Sequence, residues 1–308
     1  MSVLRDRAED YLRMRRALGY KLEVQGWLLG EFITYLEQAD AATPTTEHAL
    51  AWATLPASAD RVYWAQRLSV VREFARHLKT IDPACEIPPA GLLPFRPRRR
   101  IPHLYQPHEI TALMTAAGVL PLALQRVTYR TLVGLLAVTG LRLGEAIRLD
   151  RHDVDLDARL LRILHSKFGK SREVALHDST IRALAAYAAE RDRLCTTPRC
   201  EAFLISTRGT RLLASSIHET FNRLVTIAGI SPRPGGRNPR PHDLRHAYAV
   251  ATLLDWYRDG LDVQARLPLL STHLGHVDPA STFWYLTAAP ELLSLAADRL
   301  EPTIKGIA

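Results

Sequence analysis

The segment Pro241-His-Asp-Leu-Arg-His-Ala-Tyr248 sets a proton-transfer group, His242, three residues before a permanent cation, Arg245. On a helix that spacing puts both side chains on one face, and Pro241 with Asp243 reads as the helix's first turn. The pair suits an anionic, phosphate-like substrate. A guanidinium fork grips two oxygens, and an ordinary imidazole with a pKa near ~6.5 can move a proton at working pH. Three further stations carry related chemistry. Arg142 lies in Thr139-Gly-Leu-Arg-Leu-Gly-Glu145, and Lys167 in Ser166-Lys-Phe-Gly-Lys170. Ser271-Thr-His-Leu-Gly-His276 is followed nine residues later by Tyr285, whose phenol is a candidate nucleophile. Only Lys21, Lys79, Lys167, Lys170 and Lys305 of the 40 basic residues are lysine. Two of them within one turn point to a need for a cation that can give up its proton, as arginine in effect cannot.

The elements that must position these groups are mostly helical. Apolar residues recur at helical spacing over Leu4–Leu18, Leu22–Leu36 and Val62–Leu78, which predicts a small helical N-terminal domain. Pro94-Phe-Arg-Pro-Arg-Arg-Arg-Ile-Pro102 combines three prolines with Arg96, Arg98, Arg99 and Arg100 and cannot continue a helix. It reads as a basic linker over 96–104, between domains at 1–95 and 105–308. Downstream, helices are predicted at Pro107–Ala117, Leu122–Val138, Ser179–Arg191, Ser215–Ala228, His242–Leu254, Val263–Leu270 and Pro290–Leu300. Gly140 to Glu145 breaks and restarts the pattern, so Arg142 sits near a helix start. Leu160–Leu164 and Arg172–Leu176 alternate like strands around a Gly/Ser turn, a β-hairpin with Lys167 and Lys170 at its tip.

With 308 residues and 47% hydrophobic content, the chain can bury a substantial core, and its formal charge of +8 favours a polyanionic partner. Cys85, Cys195 and Cys200 are odd in number and read as free thiols of a reduced protein. No apolar run approaches the span of a bilayer, so neither membrane nor export is expected.

Taken in order, the four stations resemble the motifs of the tyrosine recombinase (phage integrase) family: the first arginine box around Arg142, the hairpin lysine segment Ser166–Leu176, the His242-Asp-Leu-Arg245 box, and Leu274-Gly-His276 with Tyr285. The resemblance implies a mainly α fold with a small β-hairpin or sheet, arranged as a two-domain DNA clamp. A helical core-binding domain would precede the catalytic domain. It implies strand cutting and rejoining through a 3′-phosphotyrosyl bond, with Arg142, Lys167, His242, Arg245, His276 and Tyr285 as the active site and no cofactor or metal. Arg142 and Arg245 would clamp the phosphate and His276 would add a donor. His242 would accept the tyrosine proton or bond the phosphate, and Lys167 would protonate the departing 5′-oxygen. Glu145 would orient an arginine or histidine from behind.

Arg96, Arg98, Arg99, Arg100 and Lys170 would contact DNA. The partners implied are a duplex recombination site, three further copies in a tetramer, and partner recombinases. Leu292, Leu293, Leu295 and Leu300 would form an apolar helix face against a neighbouring subunit or against their own domain. The expected setting is cytoplasmic and nucleoid-associated, and the expected role is that of a mobile-element integrase or transposase. The interval from Arg245 to His276 is longer than the family pattern, with the excess around Asp255–Leu261 as a loop or a longer helix. Two other functions compete. One is a catalytically idle DNA-binding protein on the same fold. The other is a zinc hydrolase using His242 and His246 with His273 or His276, against which Asp243 stands where that pattern needs glutamate.

Overall fold

The computed structural model describes residues 2–93, 102–164, 171–232, 238–276, 278, 280–288, 291–292 and 294–295. The chain divides into two compact units, Met1–Arg99 and Arg100–Ala308.

In the first unit the helical pattern becomes α1 (Val3–Ala17), α2 (Glu23–Gln38), α3 (Thr46–Thr54) and α4 (Arg61–Leu78). Ser2, Thr45 and Asp60 cap α1, α3 and α4 by accepting a backbone N–H inside the first turn. Each such cap contributes about 1 kcal/mol. Leu28, Leu29, Phe32, Ile33 and Leu36 form the buried stripe of α2 and meet Leu68, Val71, Phe74 and Leu78 of α4. Helix α3 is absent from the sequence expectation because its nine residues bury only Ala49, Trp52 and Ala53, too short a stripe to show periodicity. Arg67 is buried against it, with its guanidinium 3.7 Å over the Trp52 ring and a bond to the Trp52 carbonyl at 2.9 Å.

The second unit runs α5 (Pro107–Ala117), α6 (Ala123–Thr139), α7 (Leu143–Arg148), β1 (Val154–Asp155), β2 (Leu160–Ile163), β3 (Arg172–Ala175), α8 (Asp178–Leu194), α9 (Ala214–Ile227), α10 (Pro241–Arg258), α11 (Val263–Leu274) and α12 (Ala280–Ala288). Helix α6 is the central post and packs against α5, α8 and α10. Leu132, Val133 and Leu136 on it meet Leu184, Phe221 and Leu244 in the larger core. The sheet has the order β1-β2-β3 with both pairings antiparallel, Leu161 facing Val174 and Ile163 facing Arg172. Leu161, Ile163 and Val174 turn inward, as strand alternation requires. A second core gathers Val250, Leu253, Leu254, Leu267, Leu270, Leu274, Tyr285 and Leu292 from α10, α11 and the segment after them.

Three differences from the expected elements bear on the site. The extra residues after Arg245 lengthen α10, which continues to Arg258. Tyr285 stands on a helix of its own, α12, where no helix was predicted. Of the expected helix at 290–300, residues 291–292 and 294–295 are helical, and Leu292 and Leu295 pack onto their own unit's second core. Leu293 and Leu300 lie outside the described residues. At the other end of the unit, His103 and Leu104 are buried in it, and His103 Nε2 pairs with Glu109 at 3.1 Å. Among the described residues no helix is long and apolar enough to cross a membrane.

Candidate active site

Helix α6 ends because Gly140 takes a left-handed conformation, φ 62°. A Cβ there would lie 2.5 Å from Tyr248 Cδ1, so close approach of α10 also requires glycine. The turn delivers Arg142 to the N-cap of α7. Glu145, three residues on, accepts from the Arg142 backbone N–H at 2.9 Å and from Arg142 Nη1 at 2.8 Å.

Both sequence-predicted arginines converge on one short loop. Arg142 Nη2 donates to the Gly275 carbonyl at 2.8 Å and Arg245 Nη2 to the Leu274 carbonyl at 2.6 Å. Arg245 Nη1 reaches back to the Gly140 carbonyl at 2.7 Å, tying the end of α6 to the end of α11. These bonds use two of the five donors a guanidinium carries, and they fix the plane in which the others point. Arg245 is 2% exposed, whereas the Arg142 side chain is 24% exposed and faces outward. The loop itself depends on Gly275, φ 65°, where a Cβ would fall 2.9 Å from Arg172 Nη1.

Arg172 is the residue that motif reading passed over. At the start of β3, it donates to both Glu145 oxygens at 3.0 and 2.9 Å and to the His273 carbonyl at 2.7 Å. It thereby ties the base of the β-hairpin to the arginine cluster. Its signal in the sequence is a lone cation opening an otherwise alternating strand. Residues 165–170, which include Lys167 and Lys170, lie outside the described residues, as do Arg96, Arg98, Arg99 and Arg100.

The titratable side chains come from α10, the α11 end and α12. His242 and His246 stand one turn apart on α10 with rings 4.8 Å apart, edge to face. His276 Nδ1 pairs with Thr282 Oγ1 at 2.7 Å, so Nε2 is the nitrogen outside that bond. The Tyr285 hydroxyl is hydrogen-bonded to His246 Nδ1 at 3.1 Å, and its ring lies nearly parallel to that of His276, 6.1 Å away. Tyr285 is 2% exposed. His273 turns away from this group, bonding the Thr139 carbonyl at 2.9 Å and stacking on Tyr248.

Two guanidinium groups, Arg142 and Arg172, thus bond one carboxylate, Glu145, whose charge also acts on Arg245. Burial raises the Glu145 carboxyl, but hydrogen bonds and charge from Arg172 and Arg142 outweigh it and hold the pKa at about 2. Burial and the Arg142 charge lower Arg245 to about 10, so it keeps its proton at neutral pH. Burial first, then the surrounding arginines, pushes His242 and His276 down to about 4. His246 falls to about 3 through burial, His242 and the same cations. The result is a cluster with excess positive charge carried by fixed arginines beside neutral imidazoles. That arrangement suits an anion and groups able to move protons around it.

Of the residues singled out by sequence, Arg142, Glu145, His242, Arg245, His276 and Tyr285 are brought together. His246, weighed from the sequence as a ligand of the competing zinc site, contacts the tyrosine hydroxyl. Among the described residues, the three-residue group with donor atoms close enough for one metal ion is Asp150, His152 and Asp153, not the His242/His246 pair.

Comparison with known proteins gives a consistent picture. The phage integrase family profile matches residues 104–291. The integrase/recombinase y4rB of Sinorhizobium fredii is 45% identical over 307 residues, covering 98% of each chain. Tyrosine recombinase XerC of Mycobacterium tuberculosis is 30% identical over 318 residues, covering 98% of this chain and 99% of its own. Among solved structures, the Tn1549 transposon integrase in complex with transposon right end DNA superposes with a TM-score of 0.65 at 16% identity, covering 96% and 99% of the two chains. A lambda integrase tetramer bound to a Holliday junction gives 0.64 at 19% identity, covering 92% and 76%.

Proposed function

Given that this chain belongs to the phage integrase family and is a site-specific tyrosine recombinase, which cuts and rejoins DNA strands, we propose that Tyr285 is the nucleophile. Arg142, Arg245 and His276 then hold the scissile phosphate. The observation that carries this reading is the convergence of Arg142 and Arg245 on adjacent carbonyls of the loop that leads into α12 and Tyr285. Attack of the phenol on phosphorus builds negative charge on the non-bridging oxygens, and the two fixed forks lie where that charge develops. Such preorganised donors are worth about 10²–10³ in rate each. His276 Nε2 adds a donor, and His242 bonds the same phosphate. The 3′-phosphotyrosyl product stores the phosphodiester energy, so a 5′-hydroxyl can reverse the step without ATP.

Glu145 is a positioning residue. It fixes Arg142 through two bonds and joins it to Arg172, which anchors the start of β3. Lys167 serves as the acid that protonates the leaving 5′-oxygen. Lys170 and the linker arginines 96, 98, 99 and 100 neutralise DNA phosphates, and the helical unit at the N-terminus is the core-binding domain. The working assembly is a tetramer on two duplex sites, associated with the nucleoid. The role is that of a mobile-element integrase or transposase. Recombination of a plasmid carrying two copies of the element's terminal sequence, in buffer with EDTA and no ATP, tests the proposal. Product formation supports it, and strict dependence on metal or ATP contradicts it.

A further inference from the structure

His246 follows Arg245 directly and lies one helical turn beyond His242 on α10. Its Nδ1 stands 3.1 Å from the Tyr285 hydroxyl. The ring is enclosed by His242, edge-on at 4.8 Å, and by the rings of Trp284 and Tyr285, each at 5.5 Å. An imidazole held on three sides keeps one orientation, and here that orientation aims a nitrogen at the phenol oxygen. Burial, with the charges of Arg240 and Arg245 nearby, keeps the ring neutral. A neutral imidazole carries one N–H and one lone pair. A phenol becomes an effective nucleophile toward phosphorus only as its proton leaves, and an acceptor must lie within about 2.6–3.2 Å of it.

Resting on the reading of Tyr285 as nucleophile, we propose that His246 Nδ1 is the base that receives the Tyr285 phenolic proton during DNA cleavage. Nε2 carries the ring proton in the resting state and Nδ1 presents its lone pair. As the P–Oη bond forms, the proton passes from Oη to Nδ1 and the ring becomes an imidazolium beside the anionic phosphorane, which offsets its charge. The P–O5′ bond breaks, and the 5′-oxygen takes its proton from a separate acid. In rejoining, the 5′-hydroxyl attacks, the P–Oη bond breaks, and Nδ1–H returns the proton to Oη. His242, edge-on to His246, holds the ring in place and is free to serve the phosphate.

The test uses the full chain and duplexes enriched for binding to it from a random-sequence pool, with a nick stepped through the bound site. His246→Ala should slow single-turnover adduct formation by about 10²–10⁴-fold with DNA affinity unchanged. His246→Asn, which restores a hydrogen-bond acceptor that cannot take a proton, should stay slow. Replacing Tyr285 with a fluorinated tyrosine of lower pKa should recover part of the loss in His246→Ala. A substrate with sulfur in place of the 5′-bridging oxygen should recover none. Without DNA, ¹⁵N spectra of labelled histidine should show an unprotonated Nδ1 on His246 whose shift changes in Tyr285→Phe. A His246→Ala protein that cleaves at the normal rate or faster would reduce the bond to a resting contact and overturn the proposal. Rescue by the sulfur substrate would move His246 to the leaving group and overturn it too. Failure of the nucleophile reading shows separately, as an adduct that persists in Tyr285→Phe.

Discussion

Arg142 and Arg245, remote in sequence, donate to the carbonyls of consecutive residues, Gly275 at 2.8 Å and Leu274 at 2.6 Å. Their spacing is therefore set by one peptide unit, about 3.8 Å between Cα atoms. A single turn of backbone is the gauge for both jaws of the proposed phosphate clamp.

Gly275→Ala should disturb that gauge. Its φ of 65° disfavours any side chain, and the added Cβ would meet Arg172 Nη1 at 2.9 Å. Stability should fall by about 1 kcal/mol or somewhat more, and cleavage should fall further than DNA binding. Urea denaturation and single-turnover cleavage measured on one preparation separate the two. Loss of stability with unimpaired cleavage would refute the gauge.

Arg245→Lys keeps a cation but cannot span the Gly140 and Leu274 carbonyls. Cleavage should drop by about 10²–10³ while affinity for duplex DNA is largely kept. A titration of binding alongside adduct formation checks this, and parallel losses in both would assign Arg245 to binding alone.

Glu145 links acid stability to the site. Its folded pKa of about 2 lies below the unfolded value, so its contribution is present above pH ~4.5 and lost as pH falls toward about 2. The size is of order 3 kcal/mol, and removing the carboxylate also leaves two arginines without their partner. Glu145→Gln should therefore be less stable than the parent at neutral pH, with the gap closing on acidification. A gap independent of pH in denaturation curves would contradict the pairing.

The three imidazoles should titrate late. His242 and His276 near 4, and His246 near 3, remain neutral where free histidine is half protonated, near ~6.5. The unfolded chain takes up these protons first, so stability falls as pH drops from ~6.5 toward 4. Proton NMR of the free protein should show their ring resonances fixed between pH ~8 and ~5. Midpoints close to the ordinary value would refute the buried, cation-rich cluster.

Motif spacing made much of this site legible, because each box is local: an arginine at a helix restart, a histidine and an arginine one turn apart, and a tyrosine nine residues past a histidine. The parts hidden from sequence are those that depend on distant segments. His246 meets Tyr285 only because α12 folds across α10. Arg172 meets Glu145 only because β3 packs beside α11. Helix α12 escaped prediction because its nine residues, mostly apolar or small, show no polar face. Helix α10 ran past its predicted end because its last turn, Asp255–Arg258, is partly polar and caps in solvent.

The central claim is that Tyr285 joins covalently to a DNA 3′ end. The direct test is mass-spectrometric mapping of the denaturant-stable adduct formed on a nicked duplex, with Tyr285→Phe as its partner. The expected result is a single nucleotide-bearing peptide containing Tyr285 and no adduct in the variant. A nucleotide on any other residue, or an adduct that survives Tyr285→Phe, would contradict the account.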